Sequence, residues 1–228
     1  MEISRWIFLK ALVITVLALT IIYSINVYIN VKREQTLESQ MMDTVDTLEE
    51  MEALTQLMKM FGANATCVTL KSQLNLIDEK IWKLGNKIED YRRLTSEFLD
   101  DPSYITQKKK FNRQEVMYLS LLRQIGENCN MDQTVILYFY KNGIDCKQCD
   151  EQSFVLTHIN ERIDPEVAIF SFDTDLDIPS VDVLQQYYGV DDYPCIVVEE
   201  KTYCGLQGRT EVEKYLCEES PHLSICGG

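Results

Sequence analysis

The chain is short of positive charge. Its 228 residues include 22 Lys and Arg against 36 Asp and Glu, which makes a formal net charge of −14. Binding to a phosphate backbone needs a clustered basic surface, so this composition argues against nucleic acid as a partner. The one basic run, Lys108-Lys109-Lys110, is too short to reverse the balance and is typical of a solvated helix face.

Ligands for a metal ion are also scarce. The two histidines, His158 and His222, are typical of a helix surface and a polar tail. A zinc site with a strong sequence signature needs two Cys-x-x-Cys pairs, and this chain has one. Cys195 could approach that pair, but the sequence offers no evident fourth ligand. We therefore expect neither a metal ion nor a dissociable cofactor.

Residues 1–31 are set apart by their hydrophobicity. The stretch from Ile7 to Ile29 is almost wholly apolar and long enough to cross a bilayer as a helix, which takes about 20 residues. No clear small-x-small cleavage site follows it, so an uncleaved anchor is favoured over a cleaved signal peptide. We expect a single-pass membrane protein with residues 1–31 as a signal anchor.

The side of the membrane is predicted from the cysteines, since the basic residues flanking the apolar stretch are nearly balanced. Eight cysteines, an even number, favour disulfides and hence an oxidising compartment. We therefore expect residues 32–228 on the extracytoplasmic side, at the periplasmic or extracellular face. There the sequon Asn64-Ala65-Thr66 would be a candidate for glycosylation at Asn64.

Residues 32–130 are predicted to be a helical hairpin or coiled-coil spacer. Apolar residues recur at spacings of three and four, and Asp101 and Pro102 predict the cap and first turn of a third helix. The pattern allows either packing within one chain or a homodimer, and we favour the intramolecular hairpin. The first seam comprises Leu37, Met41, Thr44, Leu48, Met51, Thr55 and Met58, and the second Leu70, Leu74, Ile77, Ile81, Leu84, Ile88, Tyr91, Thr95 and Phe98.

The open end of such a hairpin brings two cysteines together. Cys67 is expected just before the second helix and Cys129 just after the third, each some 30 residues from the turn. A Cys67–Cys129 disulfide would staple the end of the hairpin, and two free thiols are the alternative. The Cα separation decides, because a bridge needs it below about 7 Å.

Residues 131–228 show a second pattern, of short strands and helices in alternation. The strands are expected at 134–140, 167–172, 195–198 and 202–206, with helices from Cys146 to about Arg162, over 179–188 and over 210–217. Cys146-Lys147-Gln148-Cys149 follows the first strand, and Tyr193-Pro194 precedes the third.

This order of elements, with Cys-x-x-Cys after the first strand and Tyr-Pro before the third, closely resembles the thioredoxin-like fold family. The resemblance covers about residues 131–218, and the preceding anchor is similar to membrane-tethered thioredoxin-like proteins of prokaryotes. It implies an α/β domain with a redox-active centre in which Cys146 attacks a substrate disulfide and Cys149 resolves the mixed disulfide. It also implies that Pro194 is a cis-proline facing the pair, with Tyr193 supplying backbone contacts to substrate.

The sequence departs from the family's pattern at two places. Asp145 stands where the family commonly has Trp, and a carboxylate there would raise the pKa of the Cys146 thiol. The first strand carries Tyr138, Phe139 and Tyr140 in place of the buried acid of the family's reductases. We therefore expect no proton acceptor in that strand.

The other four cysteines are candidates for structural disulfides. Cys195 and Cys204 flank a predicted hairpin turn, and a slip of one residue in register would put them on opposite faces. Cys217 ends the last helix and Cys226 lies in the tail, so a bridge would tie down the C-terminus. Sequence alone does not determine the connectivity.

The function predicted from these patterns is that of a membrane-anchored extracytoplasmic thiol–disulfide oxidoreductase acting on protein substrates with thiols or disulfides. The alternative is a non-catalytic thioredoxin-like interaction module on a helical membrane tether. The direction of electron flow stays open, because reduction potential depends on dipole, dipeptide and burial together.

Overall fold

The structure is a computed structural model, described over residues 5–94, 101–131, 133–141 and 146–227; the side chains of residues 5, 63–65, 91, 93 and 94 are not described. The helices are α1 (Arg5–Phe61), α2 (Ala63–Leu94), α3 (Pro102–Cys129), α4 (Cys149–Ile163), α5 (Pro179–Tyr188) and α6 (Arg209–Glu219). The strands are β1 (Thr134–Tyr140), β2 (Val167–Asp173), β3 (Cys195–Val198) and β4 (Lys201–Cys204). The chain is thus mixed α/β and mostly helical, with a small four-stranded sheet, as the sequence predicted in outline.

Two compact units divide the chain, Met1–Met42 and Asp43–Gly228. The second contains the helical hairpin and the sheet together, so helices α2 and α3 are not a separate compact body. The division into an anchor, a helical spacer and a C-terminal domain, with limits at residues 31 and 130, stays a prediction.

The first unit is a stretch of helix α1. Among the described residues, α1 is the one helix long and apolar enough to cross a membrane, with a mean hydropathy of 2.3 over its most apolar window. The hydroxyls of Thr15, Thr20 and Ser24 each donate to the carbonyl four residues earlier. The helix therefore satisfies these polar groups internally, as an apolar surrounding requires.

In the second unit, the seams predicted from the heptads are buried inside one chain. The single residue Gly62, with a φ of +91°, reverses the chain between α1 and α2. One glycine in the left-handed region is sufficient for this turn. The buried seam residues from this unit are Thr44, Leu48, Met51, Thr55, Met58, Leu70, Leu74, Ile77, Ile81, Leu84 and Ile88.

Helix α3 begins as its capping residues predicted. The Asp101 side chain accepts hydrogen bonds from the backbone N–H groups of Ser103 and Tyr104, and Pro102 occupies the first turn. The helix continues to Cys129, where Asn130 at a φ of 51° ends it. The last two residues of the predicted second seam, Thr95 and Phe98, lie outside the described residues.

The sheet has the strand order β2-β1-β3-β4, with β1 and β2 parallel and the other pairs antiparallel. One face packs on α4 and α6 through a core that includes Ile136, Leu156, Ile196 and Leu216. Strand β4 ends at Cys204, two residues before the predicted end, because Gly205 adopts a φ of +82° and turns the chain away.

Helix α3 covers the outer edge of strand β2. The Asn112 side-chain amide donates to the Ser171 carbonyl and accepts from the Asp173 N–H, at 3.0 Å each. Glu115 Oε1 accepts from the Ser171 N–H at 2.9 Å. Two side chains thus take the place of a neighbouring strand, so this edge is closed to pairing with another chain.

Candidate functional site

Cys146 and Cys149 form a disulfide between the end of strand β1 and helix α4, with a Cα–Cα distance of 5.4 Å. Helix α4 begins at Cys149, so the prediction that Cys146 itself opens the helix is corrected. Residues 146–148 form a turn that leads into the helix, and the Cys149 N–H approaches the Cys146 carbonyl oxygen at 3.4 Å. Cys146 therefore lies one turn before the helix and its free N–H groups.

The two cysteines differ in exposure. Cys146 is 8% exposed and Cys149 is 3% exposed, so Cys146 is the one that an incoming thiolate reaches more easily. Tyr138 of β1 donates its hydroxyl to the Cys149 carbonyl oxygen at 2.6 Å. Burial raises the pKa of Tyr138, so this phenol stays protonated and keeps its donor role at neutral pH.

A charged contact joins the helical hairpin to this site. Arg92, near the C-terminal end of α2, donates a hydrogen bond from its Nη2 to Asp150 Oδ1 at 3.3 Å. Asp150 directly follows Cys149 in the first turn of α4. The same guanidinium donates two hydrogen bonds to the Glu89 carboxylate, at 2.8 and 2.5 Å. Helix α2 therefore supplies a charged side chain to the residue that follows Cys149.

Aromatic rings continue from the site along strand β1. The rings of Tyr138 and Tyr140 stack with their centroids 5.2 Å apart. Lys108 of α3 lies with its ammonium 5.5 Å from the Tyr140 ring centroid, in the range of a cation–π contact. Burial raises the pKa of Tyr140, with Asp173 adding to the effect. Strand β1 itself holds no carboxylate, and Asp173 of β2 lies opposite Tyr140 in the register of the two strands.

Tyr193 and Pro194 precede strand β3, and the bond between them is cis. Strand β3 pairs with β1 through Cys195 opposite Phe139, so Pro194 lies at the end of β1 from which the chain proceeds to Cys146. The Tyr193 N–H donates to Asp192 Oδ1 at 2.8 Å, so this backbone donor already has an acceptor. The Pro194 carbonyl accepts from the Gly205 N–H at 2.8 Å.

All eight cysteines are paired in the structure. Cys67 and Cys129 are bridged with a Cα–Cα distance of 5.5 Å, and Cys217 and Cys226 with one of 5.4 Å. Cys195 and Cys204 lie directly opposite in the β3–β4 register, so they share a face and form the third of these bridges. Cys67 lies inside helix α2 and Cys129 ends α3, each a few residues from the position predicted, because both helices are longer.

The two histidines lie on the surface, as expected from the sequence. His158 lies on the exposed face of α4, with its Nε2 2.9 Å from Arg209 Nη1, and His222 is exposed in the tail. Within the described ranges, no group of three or more His, Cys, Asp or Glu could hold a metal ion. Asp145 lies outside the described residues. Asn64 lies in the first turn of α2, and its side chain is not described.

Sequence reasoning missed Arg92 and Asp150. Asp150 offered a signal, since it follows Cys149 directly and a carboxylate there affects the thiol next to it. Arg92 offered none, because 58 positions of sequence separate it from Asp150.

Comparison with known proteins adds little to this geometry. No family model matches the chain, and no curated protein matches it. A solved structure described as "Structure of a malarial protein" is similar with 14% sequence identity and a TM-score of 0.33, over 39% of this chain and 98% of that one. A likeness at this TM-score carries no argument about fold or function.

Proposed function

We propose that the protein is a membrane-anchored thiol–disulfide oxidoreductase with a thioredoxin-like domain, acting on protein thiols or disulfides outside the cytoplasm. The single observation that carries the proposal is the position of the Cys146–Cys149 disulfide, between the end of a central strand and the first turn of a helix. The order of strands and helices after residue 131 is the one on which the resemblance to thioredoxin-like proteins rests.

In this chemistry, Cys146 and Cys149 alternate between a disulfide and two free thiols. In the reductive direction, the Cys146 thiolate attacks one sulfur of a substrate disulfide and the other sulfur leaves as a thiolate. Cys149 then attacks the mixed disulfide, releases the second substrate thiol and restores the Cys146–Cys149 bond. The exposure of Cys146, greater than that of Cys149, supports this assignment of nucleophile and resolving residue.

The proposed location rests on the anchor and the disulfides. Helix α1 has the length and composition of a membrane span, and a signal sequence would have them too. Four disulfides in one chain are typical of an oxidising compartment outside the cytoplasm. Alkylation of intact cells after mild reduction, with a membrane-impermeant thiol reagent, tests the side; an unlabelled domain contradicts it.

A turnover assay tests the activity. The full chain in detergent micelles should reduce insulin or reshuffle a scrambled substrate, and Cys146→Ser should abolish this turnover. The double variant Cys217→Ser/Cys226→Ser is the matched control, because it removes a disulfide far along the sequence from the pair. Equal turnover rates for the wild type and Cys146→Ser would refute the proposed oxidoreductase activity.

The burial of the pair favours a second candidate, a non-catalytic interaction module with a static disulfide. Cys149 at 3% exposure is as buried as a structural bridge. Trapping separates the two candidates, since Cys149→Ser in an oxidoreductase accumulates a mixed disulfide between Cys146 and a substrate. In an interaction module, the same variant captures nothing above the level of Cys146→Ser/Cys149→Ser.

A further inference from the structure

We propose that Arg92 of helix α2 is a positioning residue of the Cys146–Cys149 site, which offsets the Asp150 carboxylate and so favours the Cys146 thiolate. The inference rests on the function proposed above and extends it. It assigns the helical hairpin a part in the chemistry, beyond that of a spacer between membrane and domain.

The guanidinium is held in place from one side. Glu89, three residues earlier on the same helix, takes two hydrogen bonds from Arg92 in the forked geometry that suits a carboxylate. The Arg92 side chain is only 27% exposed, so water screens its charge less than that of a free surface arginine. Its terminal nitrogen reaches across to Asp150.

The Asp150 carboxylate is the negative charge that the Arg92 cation offsets. Its carboxylate is on the residue bonded to Cys149, and a negative charge that close opposes ionisation of either thiol. The contact with Arg92 neutralises that charge locally. Lys147, between the two cysteines, is exposed and carries a positive charge on a side chain of greater freedom.

The Arg92–Asp150 contact therefore acts on the equilibrium between disulfide and dithiol. Two glutathione thiols reduce the pair to a dithiol and leave as one oxidised glutathione, so atoms and electrons balance. A cation that stabilises the Cys146 thiolate stabilises the reduced form and shifts this equilibrium toward it. Loss of the cation should shift it back toward the disulfide.

The test measures the Cys146 thiol directly. The full chain in detergent micelles is mildly reduced, alkylated over a range of pH, and the labelled Cys146 peptide is quantified by mass spectrometry. In Arg92→Gln, the midpoint of alkylation should move upward by about 0.5 to 1 in pH, because the Asp150 carboxylate is then no longer offset and the surroundings screen its charge only in part. The equilibrium with glutathione should move roughly three- to tenfold toward the disulfide.

Three further variants separate charge from structure. Arg92→Lys keeps the charge and should retain a midpoint close to that of the wild type. Lys83→Gln removes a cation and an ion pair with Glu79 from the same helix, away from the site, and should change nothing. Asp150→Asn removes the opposing carboxylate, so it should lower the midpoint. An unchanged midpoint in Asp150→Asn would overturn the proposal even if Arg92→Gln fails to fold.

A midpoint for Arg92→Gln equal to that of Lys83→Gln would overturn the proposal. So would an Arg92→Lys variant that is folded and shifts as far as Arg92→Gln, because fork geometry and not charge would then be responsible. Alkylation needs no turnover, so the two proposals fail separately. A shifted midpoint in a protein without turnover supports the role of Arg92 and refutes the oxidoreductase.

Discussion

Glu115 is a buried carboxylate, and its titration should be visible in the stability of the protein. Its side chain is buried between helix α3 and the edge of strand β2. Burial raises its pKa from 4.5 to about 8, although hydrogen bonds from the Ser171 N–H and the Asn112 amide and the charge of Lys108 all oppose the rise. Desolvation therefore outweighs three favourable interactions.

Linkage between protonation and folding gives the direction of the effect on stability. A group with a raised pKa in the folded state binds its proton more tightly there than in the unfolded chain. The contribution of Glu115 to stability is full below pH 4.5 and is lost as the pH rises through about 8. A pKa that differs by 1 between the folded and unfolded chains corresponds to about 1.4 kcal/mol, so the loss is roughly 3 to 5 kcal/mol across this window.

The Glu115→Gln variant measures this loss. Urea unfolding of the full, disulfide-intact chain in micelles is followed by circular dichroism from pH 5 to pH 9. The wild type should lose about 3 to 5 kcal/mol relative to the variant as the pH rises. Glu127→Gln, an exposed position on the same helix, is the matched control and should keep a constant offset.

The comparison cancels other titrating groups, because they are present in all three proteins. The variant itself should cost about 1 kcal/mol at low pH, since its amide meets the Asn112 amide donor-to-donor and one hydrogen bond is lost. If the difference between the wild type and Glu115→Gln is the same at pH 5 and pH 9, Glu115 does not titrate there and the burial argument is wrong.

Two further predictions concern the helical hairpin. Burial and the charge of Asp164 raise the pKa of Asp78 to about 6, although the hydrogen bond from Tyr118 lowers it. The same unfolding measurement should therefore show Asp78→Asn to be more stable than the wild type by about 2 kcal/mol at pH 8 and by little at pH 4. A gain in stability that does not change with pH would contradict this. Removal of the Cys67–Cys129 bridge as a double serine variant should cost about 4 kcal/mol, since it closes a loop of 62 residues. If the double variant unfolds at the same temperature as the wild type, the Cys67–Cys129 disulfide does not stabilise the hairpin.

The elements of this protein were predictable wherever the pattern is local. The strand at 134–140 is a run of β-branched and aromatic residues, and it forms over those residues. The cap at Asp101 and the seam from Leu70 to Ile88 depend on spacings within one helix, and both are present. The end of β4 was predicted two residues too late, because it depends on one glycine, Gly205, with a positive φ.

What the sequence by itself determined is the Cys-x-x-Cys spacing that brings Cys146 and Cys149 within reach of a disulfide, and the apolar stretch that makes α1 long enough to span a membrane. Tertiary structure alone decided the surroundings of the pair. Arg92 meets Asp150, and Glu115 reaches the edge of β2, because elements distant in sequence pack together within one compact unit. Neither contact has a sequence pattern, since electrostatic and hydrogen-bonding partners are selected by distance in the folded chain and not by spacing along it.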